Sequence, residues 1–467
     1  MEKIAFKKSK YMVFLFFLMI FIINFGISGS LELSFDEAYY WLYSQNLSFG
    51  YFDHPPFVAF AIKFGTLIFG NTEIGVRFGS NVLAILSYIL ILKATDAKDN
   101  QFFIISLLSM PLISFAGILA IPDTPMLFSV SLYFYSLKRY LNVDSFKNSL
   151  LVSISITLMF YSKYHGMLIV VLTVLSQINL LKKKSFWMIF FLVILLYLPH
   201  VYWQYNHDFA SFRFHLFGRG EKHFSLSNIL NYLSGQILLL GIFNFFIYIF
   251  LFFKKNIKSS FEKVLIYNSY GFLLFLLVLS FRNQIEANWT LSVCVAFIIL
   301  FSNKLNEREL FIYKVTSSLP ILLLVTIYLG AINLDYVSKQ VDMKDNRLNE
   351  IIGWRDTRVN EIVRICDDAP IVADSYQIAA KLSFYTKKTI PAIHISSRDS
   401  QFSIWNFQKE IMRDAKICYL TTRKNTPQTV RVLSGYKDDI YILKNTSLEN
   451  IAILNGITYE NIIRRFK

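Results

Sequence analysis

Two neighbouring stretches hold the side chains best suited to chemistry. Ser34-Phe35-Asp36-Glu37-Ala38-Tyr39-Tyr40-Trp41 sets adjacent carboxylates before three aromatic rings, and Gly50-Tyr51-Phe52-Asp53-His54-Pro55-Pro56 puts an imidazole beside a carboxylate on a rigid turn. A carboxylate can stabilise developing positive charge or take a proton, and flat rings suit the apolar face of a sugar. The same residues also satisfy plainer demands: an Asp helix cap, an interfacial belt of Tyr and Trp, and a Pro-Pro turn.

Four further clusters share this character. Asp123 sits in the tight turn Ile121-Pro122-Asp123-Thr124-Pro125, where it could bind a ligand or cap the next helix. Lys163-Tyr164-His165 places a cation where cations are otherwise scarce, a lysine that could hold an anion or simply snorkel to the interface. The loop from Asn206-His207-Asp208 through Arg213, His215, Arg219, Glu221, Lys222 and His223 concentrates basic and imidazole groups, either for phosphate or for solvation. Glu286-Ala287-Asn288-Trp289 adds a carboxylate and an indole at the head of an apolar run.

These clusters must be carried by membrane-spanning elements. The 467 residues are 54% hydrophobic and only 17% charged, against roughly 25% charged in soluble domains, so a single soluble domain is excluded. Apolar runs of about 17 to 25 residues match a hydrocarbon core about 30 Å thick. Runs at 11–27, 76–92, 101–120, 124–140, 150–161, 166–181, 186–205, 229–253, 264–281, 290–301 and 316–334 predict a polytopic α-helical membrane protein with about eleven transmembrane helices. The first run follows a basic segment and is expected to be a retained span. Pieces at 38–47 and 56–69 are too short to cross and are expected to lie at the interface.

The net charge of +15 would suggest nucleic acid in a soluble protein, but the lysines cluster at the ends of alternate apolar runs. That alternation puts the N-terminus in the cytoplasm and all the chemistry-bearing clusters outside; no nucleic-acid partner is expected. The transmembrane domain covers 1–334, with an outer first loop at 30–75. After 334, about 130 polar residues are enough for a small domain on the outer, periplasmic side. Strand-like runs at 371–373, 390–395, 417–421, 440–443 and 451–454, with helical patterns at 355–366 and 377–385, predict that 335–467 is a C-terminal soluble α/β domain. Cys294 lies in a span; Cys366 and Cys418 leave a bridge open without forming a framework. No Walker loop, dinucleotide glycine motif, zinc spacing or nucleophile elbow is present, which argues against a cytosolic nucleotide substrate.

The first-loop motif, Tyr51-Phe52-Asp53-His54-Pro55-Pro56, Gly75-Val76-Arg77 and Pro122-Asp123-Thr124-Pro125 resemble the C-type membrane glycosyltransferases. Within them the sequence is similar to bacterial relatives of the dolichyl-phosphate-mannose protein mannosyltransferases and of the lipid A aminoarabinose transferase. Ser162-Lys163-Tyr164 and Glu286-Ala287-Asn288-Trp289 extend the resemblance; Gly353-Trp354-Arg355, Ala373-Asp374-Ser375-Tyr376-Gln377 and Leu382-Ser383-Phe384-Tyr385 carry it into the C-terminal region.

The resemblance implies an inner-membrane transferase moving a sugar from a polyprenyl-phosphate donor to an acceptor on the periplasmic face, with lipid A foremost and a protein or another envelope glycan as alternatives. It implies catalytic roles for Asp36 and Asp123. Glu37, Tyr39, Tyr40, His54, Arg77, Lys163, Arg213, Glu286 and Trp289 are the candidates for holding donor phosphate and sugar. The aminoarabinose transferases carry Lys where this sequence has His54. The phosphate is therefore met by a protonated His54, or by Lys163, Arg77 or the Arg213 loop. No cofactor follows from these residues, and a divalent metal stays an open alternative. The expected partners are the donor, the envelope acceptor and the bilayer. A transporter for lipid-linked sugars is the rival of a different class, although transporters favour ionisable groups at mid-membrane on broken helices.

Overall fold

The computed structural model describes residues 2–95, 100–217, 223–254, 256–333, 350–367, 369–392, 398–405, 407, 416–421, 440–442 and 452–458. Helix α1 (Glu2–Ser30) leads to two short helices, α2 (Phe35–Gln45) and α3 (Phe57–Phe69), then to α4 (Glu73–Ala94). There follow α5 (Gln101–Ser109), α6 (Pro111–Ser114), α7 (Asp123–Asn142), α8 (Phe146–Ser162), α9 (Gly166–Ser176), α10 (Lys184–Asn206) and α11 (Ala210–Phe217). The bundle continues with α12 (Leu226–Leu239), α13 (Asn244–Lys254) and α14 (Ser260–Ile266). A π-helical turn joins α14 to α15 (Phe272–Ser280), and α16 (Leu291–Phe301) and α17 (Glu307–Ile332) complete it.

The chain is a multi-pass helical protein. Among the described residues, five helices are long and apolar enough to cross a bilayer, and a sixth if α12 and α13 form one span. Two expected spans are interrupted. The run at 101–120 breaks where Pro111 lacks an N–H and pushes Met110 out of the helical region, to φ −101° and ψ 100°. The run at 229–253 bends by 90° between α12 and α13, and Gly241 in the bend takes φ +89°, a conformation that a Cβ would strain.

Helices α2 and α3 are short, as their lengths predict. Helix α3 lies backbone to backbone on α4, because a Cβ at Gly79 would collide with the Ala61 carbonyl and one at Gly75 with the Gly70 carbonyl. Small residues four apart allow such an approach between helices in lipid. The core runs along α4, α7 and α16, where all eleven residues of Leu291–Phe301 are buried.

In the C-terminal region, strands β1 (Ile371–Ala373), β2 (Lys416–Thr421), β3 (Ile440–Ile442) and β4 (Ala452–Thr458) form one sheet in the order β1-β2-β4-β3. The β1 and β2 strands are parallel, with Ile371 opposite Cys418, and the other two pairs are antiparallel. The expected strand at 390–395 contributes a single bridge from Ala392 to Ala373, and residues 393–397 lie outside the described set. The expected helices appear as a π-helical turn, Trp354–Arg358, continuing into Val359–Cys366, and as Tyr376–Thr386. Cys366 and Cys418, left open by the sequence, form a disulfide with Cα atoms 5.4 Å apart.

Candidate active site

Helix α2 begins with a capping box. Ser34 Oγ accepts the Glu37 N–H and Glu37 Oε2 accepts the Ser34 N–H at 2.9 Å, so the serine and glutamate types at this spacing start the helix. Glu37 also holds the surrounding loops together. Its Oε1 accepts from Arg77 Nε at 2.7 Å and from the Ala120 N–H at 2.9 Å, and its Oε2 accepts from Arg77 at 2.7 Å. Burial would push the Glu37 carboxyl up, but the Arg77 charge and these hydrogen bonds hold it below its ordinary range.

Arg77 spends its remaining donors on the carbonyls of Ser28, Leu31 and Glu32 at 2.6 to 2.8 Å. All five guanidinium N–H groups are thus used within the protein, and both side chains of the pair are fully buried. This differs from the sequence expectation: Glu37 and Arg77 fasten the outer loops to α1 and α4, and neither presents a group to a ligand. Asp36, next to Glu37, faces the other way and is exposed.

Asp36 keeps an open face, while protein around the rest of it withholds hydration from the charged form. That desolvation, with the negative charges of Glu350, Asp53 and Glu37 and against the charge of Arg398, pushes its carboxyl up to about 6. Asp53 is the hub beside it. Its Oδ2 accepts from Tyr39 at 2.6 Å and Tyr43 at 3.3 Å, and its Oδ1 pairs with Arg398 at 2.5 Å. Arg398 also donates to Tyr376 at 3.0 Å, and its guanidinium lies 4.8 Å from the Phe214 ring and 4.9 Å from the Tyr376 ring.

Tyr39 is buried and accepts the Gln401 N–H at 2.7 Å, so it braces the loop against the C-terminal region. Tyr40 is buried between Tyr39 and His54, whose ring lies 5.6 Å away and 6.3 Å from that of His215. His215 Nε2 donates to the Asp53 carbonyl at 2.8 Å.

A second centre forms where three other motifs meet. Asp123 opens α7, and Pro125 is tolerated in its first turn because N–H groups there have no intrahelical partner. Asp123 Oδ1 accepts from Lys163 Nζ at 2.8 Å and Oδ2 from Asn288 at 3.1 Å. The Glu37–Ala120 hydrogen bond brings this loop beside the first. Ala120 and Asp123 are three positions apart, so their Cα atoms are within ~11 Å. The lysine expected to meet phosphate is therefore matched to a carboxylate and is largely buried.

Other expected residues are placed differently. Glu286 is exposed, and its neighbour Asn288 is the residue that reaches Asp123. Trp289 stacks on His165 with centroids 5.9 Å apart at 20°. Arg213 is exposed on α11, and it is Phe214 and His215 that this helix brings to Arg398 and Asp53. Arg219, Glu221 and Lys222 lie outside the described residues. Among the described residues no three His, Cys, Asp or Glu side chains are grouped as a metal site.

Sequence reasoning missed Arg398 as a site cation. Its one local signal is a lone arginine in a polar stretch after a strand-like run, the kind of loop position that often carries function. The C-terminal motifs face the first loop. Trp354 packs on Phe35, Tyr376 on Tyr39 and Phe384 on Trp41, while Arg355 pairs with Glu73 at 2.8 Å.

Comparison with known proteins fits this geometry. Residues 53–203 match the family described as dolichyl-phosphate-mannose-protein mannosyltransferase. The lipid A galacturonosyltransferase RgtD of Rhizobium johnstonii is 20% identical over 278 residues, 57% of this chain and 59% of that protein. The chain thus spans about three-fifths of that curated relative. The fold is that of ArnT from Cupriavidus metallidurans, solved with undecaprenyl phosphate bound: TM-score 0.67 at 12% identity, covering 96% of this chain and 98% of that one. The apo form of ArnT matches at 0.66. The acidic first loop, the family match across the turns that follow it and a fold shared over nearly the whole length agree, and together they make the chain similar to the membrane glycosyltransferases that its first-loop residues resemble.

Proposed function

We propose that this protein transfers a sugar from a polyprenyl-phosphate carrier to lipid A on the periplasmic face of the inner membrane, as a bundle of about eleven spans with a periplasmic C-terminal domain. The observation that carries the reading is the exposed Asp36, its carboxyl raised to about 6, beside the Arg398–Asp53 pair on a helix that Glu37 ties to the loop leading to Asp123. Attack at an anomeric carbon builds oxocarbenium character, which a desolvated carboxylate stabilises more strongly than a hydrated one. Loss of a phosphate leaving group calls for cations rather than a strong acid, and Arg398 and Lys163 are the nearest permanent charges to the two acids. His54, beside Tyr40, would add to them when protonated.

With a phosphate acceptor, Asp36 orients and stabilises; with a hydroxyl acceptor it also takes the proton. The lipid A acceptor of RgtD and the undecaprenyl phosphate bound to ArnT support lipid A and a polyprenyl phosphate here. The family match over 53–203 favours a second reading, transfer to a protein hydroxyl. The Cys366–Cys418 disulfide suits an oxidising compartment and so supports a periplasmic C-terminal region. Mass spectrometry of lipid A from cells with and without the gene tests the acceptor. A mass corresponding to one added sugar that disappears on deletion is expected, and an unchanged lipid A profile would pass the assignment to the protein-glycosylation reading.

A further inference from the structure

The opposite end of the bundle carries a second concentration of charge. A hollow of about 770 Å³ opens there, framed by the last turns of α4, α7, α13 and α16 and the first turn of α14. Helix α7 runs from Asp123 to Asn142, so this hollow lies about 30 Å along the helix from the acidic site. Four lysines, Lys138, Lys254, Lys258 and Lys304, converge on it. Lys304 pairs with Glu262 at 3.0 Å and Lys254 with Glu309 at 2.7 Å. Lys138 donates one bond to the Ala94 carbonyl at 2.8 Å, and Lys258 is exposed. Among the described residues that line the hollow, four are lysines and one, Glu262, is acidic, so its wall is predominantly basic.

Membrane topology alone asks only that lysines flank the spans on one side. It does not ask that lysines from two separate helices and two loops meet around a single hollow. We propose that this hollow binds the phosphate headgroup of an anionic phospholipid from the adjacent leaflet. The occupant follows from charge complementarity together with the surroundings. The turn of α13 just before Lys254 exposes Phe250, Phe252 and Phe253, the last 82% exposed. An acyl chain can lie along that apolar face while its headgroup reaches the lysines. Basic pockets between spans are the arrangement by which helical membrane proteins hold anionic headgroups, and Lys meets phosphate there as a point charge.

The test uses the full-length protein in neutral detergent, titrated with dioleoylphosphatidylglycerol, dioleoylphosphatidylcholine or glycerol 3-phosphate, with bound species counted by native mass spectrometry. Retention of phosphatidylglycerol over phosphatidylcholine is expected, weakened about fivefold by Lys258→Gln and further by the double variant Lys254→Gln/Lys258→Gln. Lys258 is exposed, so its variant should unfold at the wild-type temperature without lipid, which keeps the result independent of folding. Lys184→Gln, an exposed lysine at the start of α10 that does not line the hollow, should leave retention unchanged. Equal retention of the two lipids, an equal loss in Lys184→Gln, undiminished binding in both hollow variants, or equally tight binding of glycerol 3-phosphate would overturn the proposal.

Discussion

At Asp36, desolvation and negative neighbours raise a carboxyl from 3.8 to about 6, which makes two consequences separable. The folded protein holds this proton more tightly than the unfolded chain, so the residue's contribution to stability falls as pH rises from about 3.8 through about 6. Asp36→Asn removes the penalty of a poorly hydrated charge, and its unfolding temperature at pH 7.5 should match or exceed that of the wild type. Transfer requires the carboxylate and should therefore decline as pH falls through about 6 in the wild type. Asp36→Asn should keep less than about a tenth of the rate at every pH, a barrier increase above roughly 1.4 kcal/mol. Rates of sugar transfer from pH 5 to 8, read beside thermal unfolding of both proteins, check this; a variant that is active, or inactive only because it unfolds early, would leave Asp36 a structural acid in the first turn of α2.

At the scale of elements, the first loop is held by the Glu37–Arg77 pair, whose bonds reach α1, α2, α4 and the loop before α7. Removing one partner of a fully buried, saturated ion pair leaves the other charge stranded, at a cost of about 3–5 kcal/mol. Arg77→Met should therefore lower the unfolding temperature or abolish recovery of folded protein, and Arg77→Met/Glu37→Gln should recover much of the loss. Fluorescence-detected size exclusion after stepped heating measures it. Normal stability combined with selectively weakened donor binding would restore Arg77 to the phosphate-binding role its sequence position suggested.

At the scale of the whole molecule, the arrangement of the two ends predicts their exposure to opposite compartments. The acidic site, the C-terminal region and the disulfide gather at one end, and the lysine-rich hollow at the other. Thr389→Cys, exposed near the first group, should react with an impermeant maleimide in intact cells. Lys147→Cys, exposed near the second, should react only after lysis. The native cysteines do not interfere, because two are joined and Cys294 is buried. The reverse labelling pattern would invert the topology.

What the sequence determined by itself were properties set by local chemistry. Apolar run length made the chain helical and membrane-embedded, Pro-Asp-Thr-Pro set the start of α7, and Ser34 with Glu37 started α2. The acidic first loop was legible because its residue types are adjacent in the chain. Only the tertiary structure decided which polar groups meet. Asp123, Lys163 and Asn288 come from three turns, the latter two 40 and 165 residues beyond Asp123, and Arg398 reaches Asp53 across 345. The same distances turned Arg77 from an apparent phosphate ligand into a buried anchor, because its saturation depends on carbonyls of Ser28, Leu31 and Glu32 that no local pattern announces. Buried donors and acceptors must find partners wherever the fold places them, and so a side chain's role follows from the whole set of its contacts rather than from its neighbours in sequence.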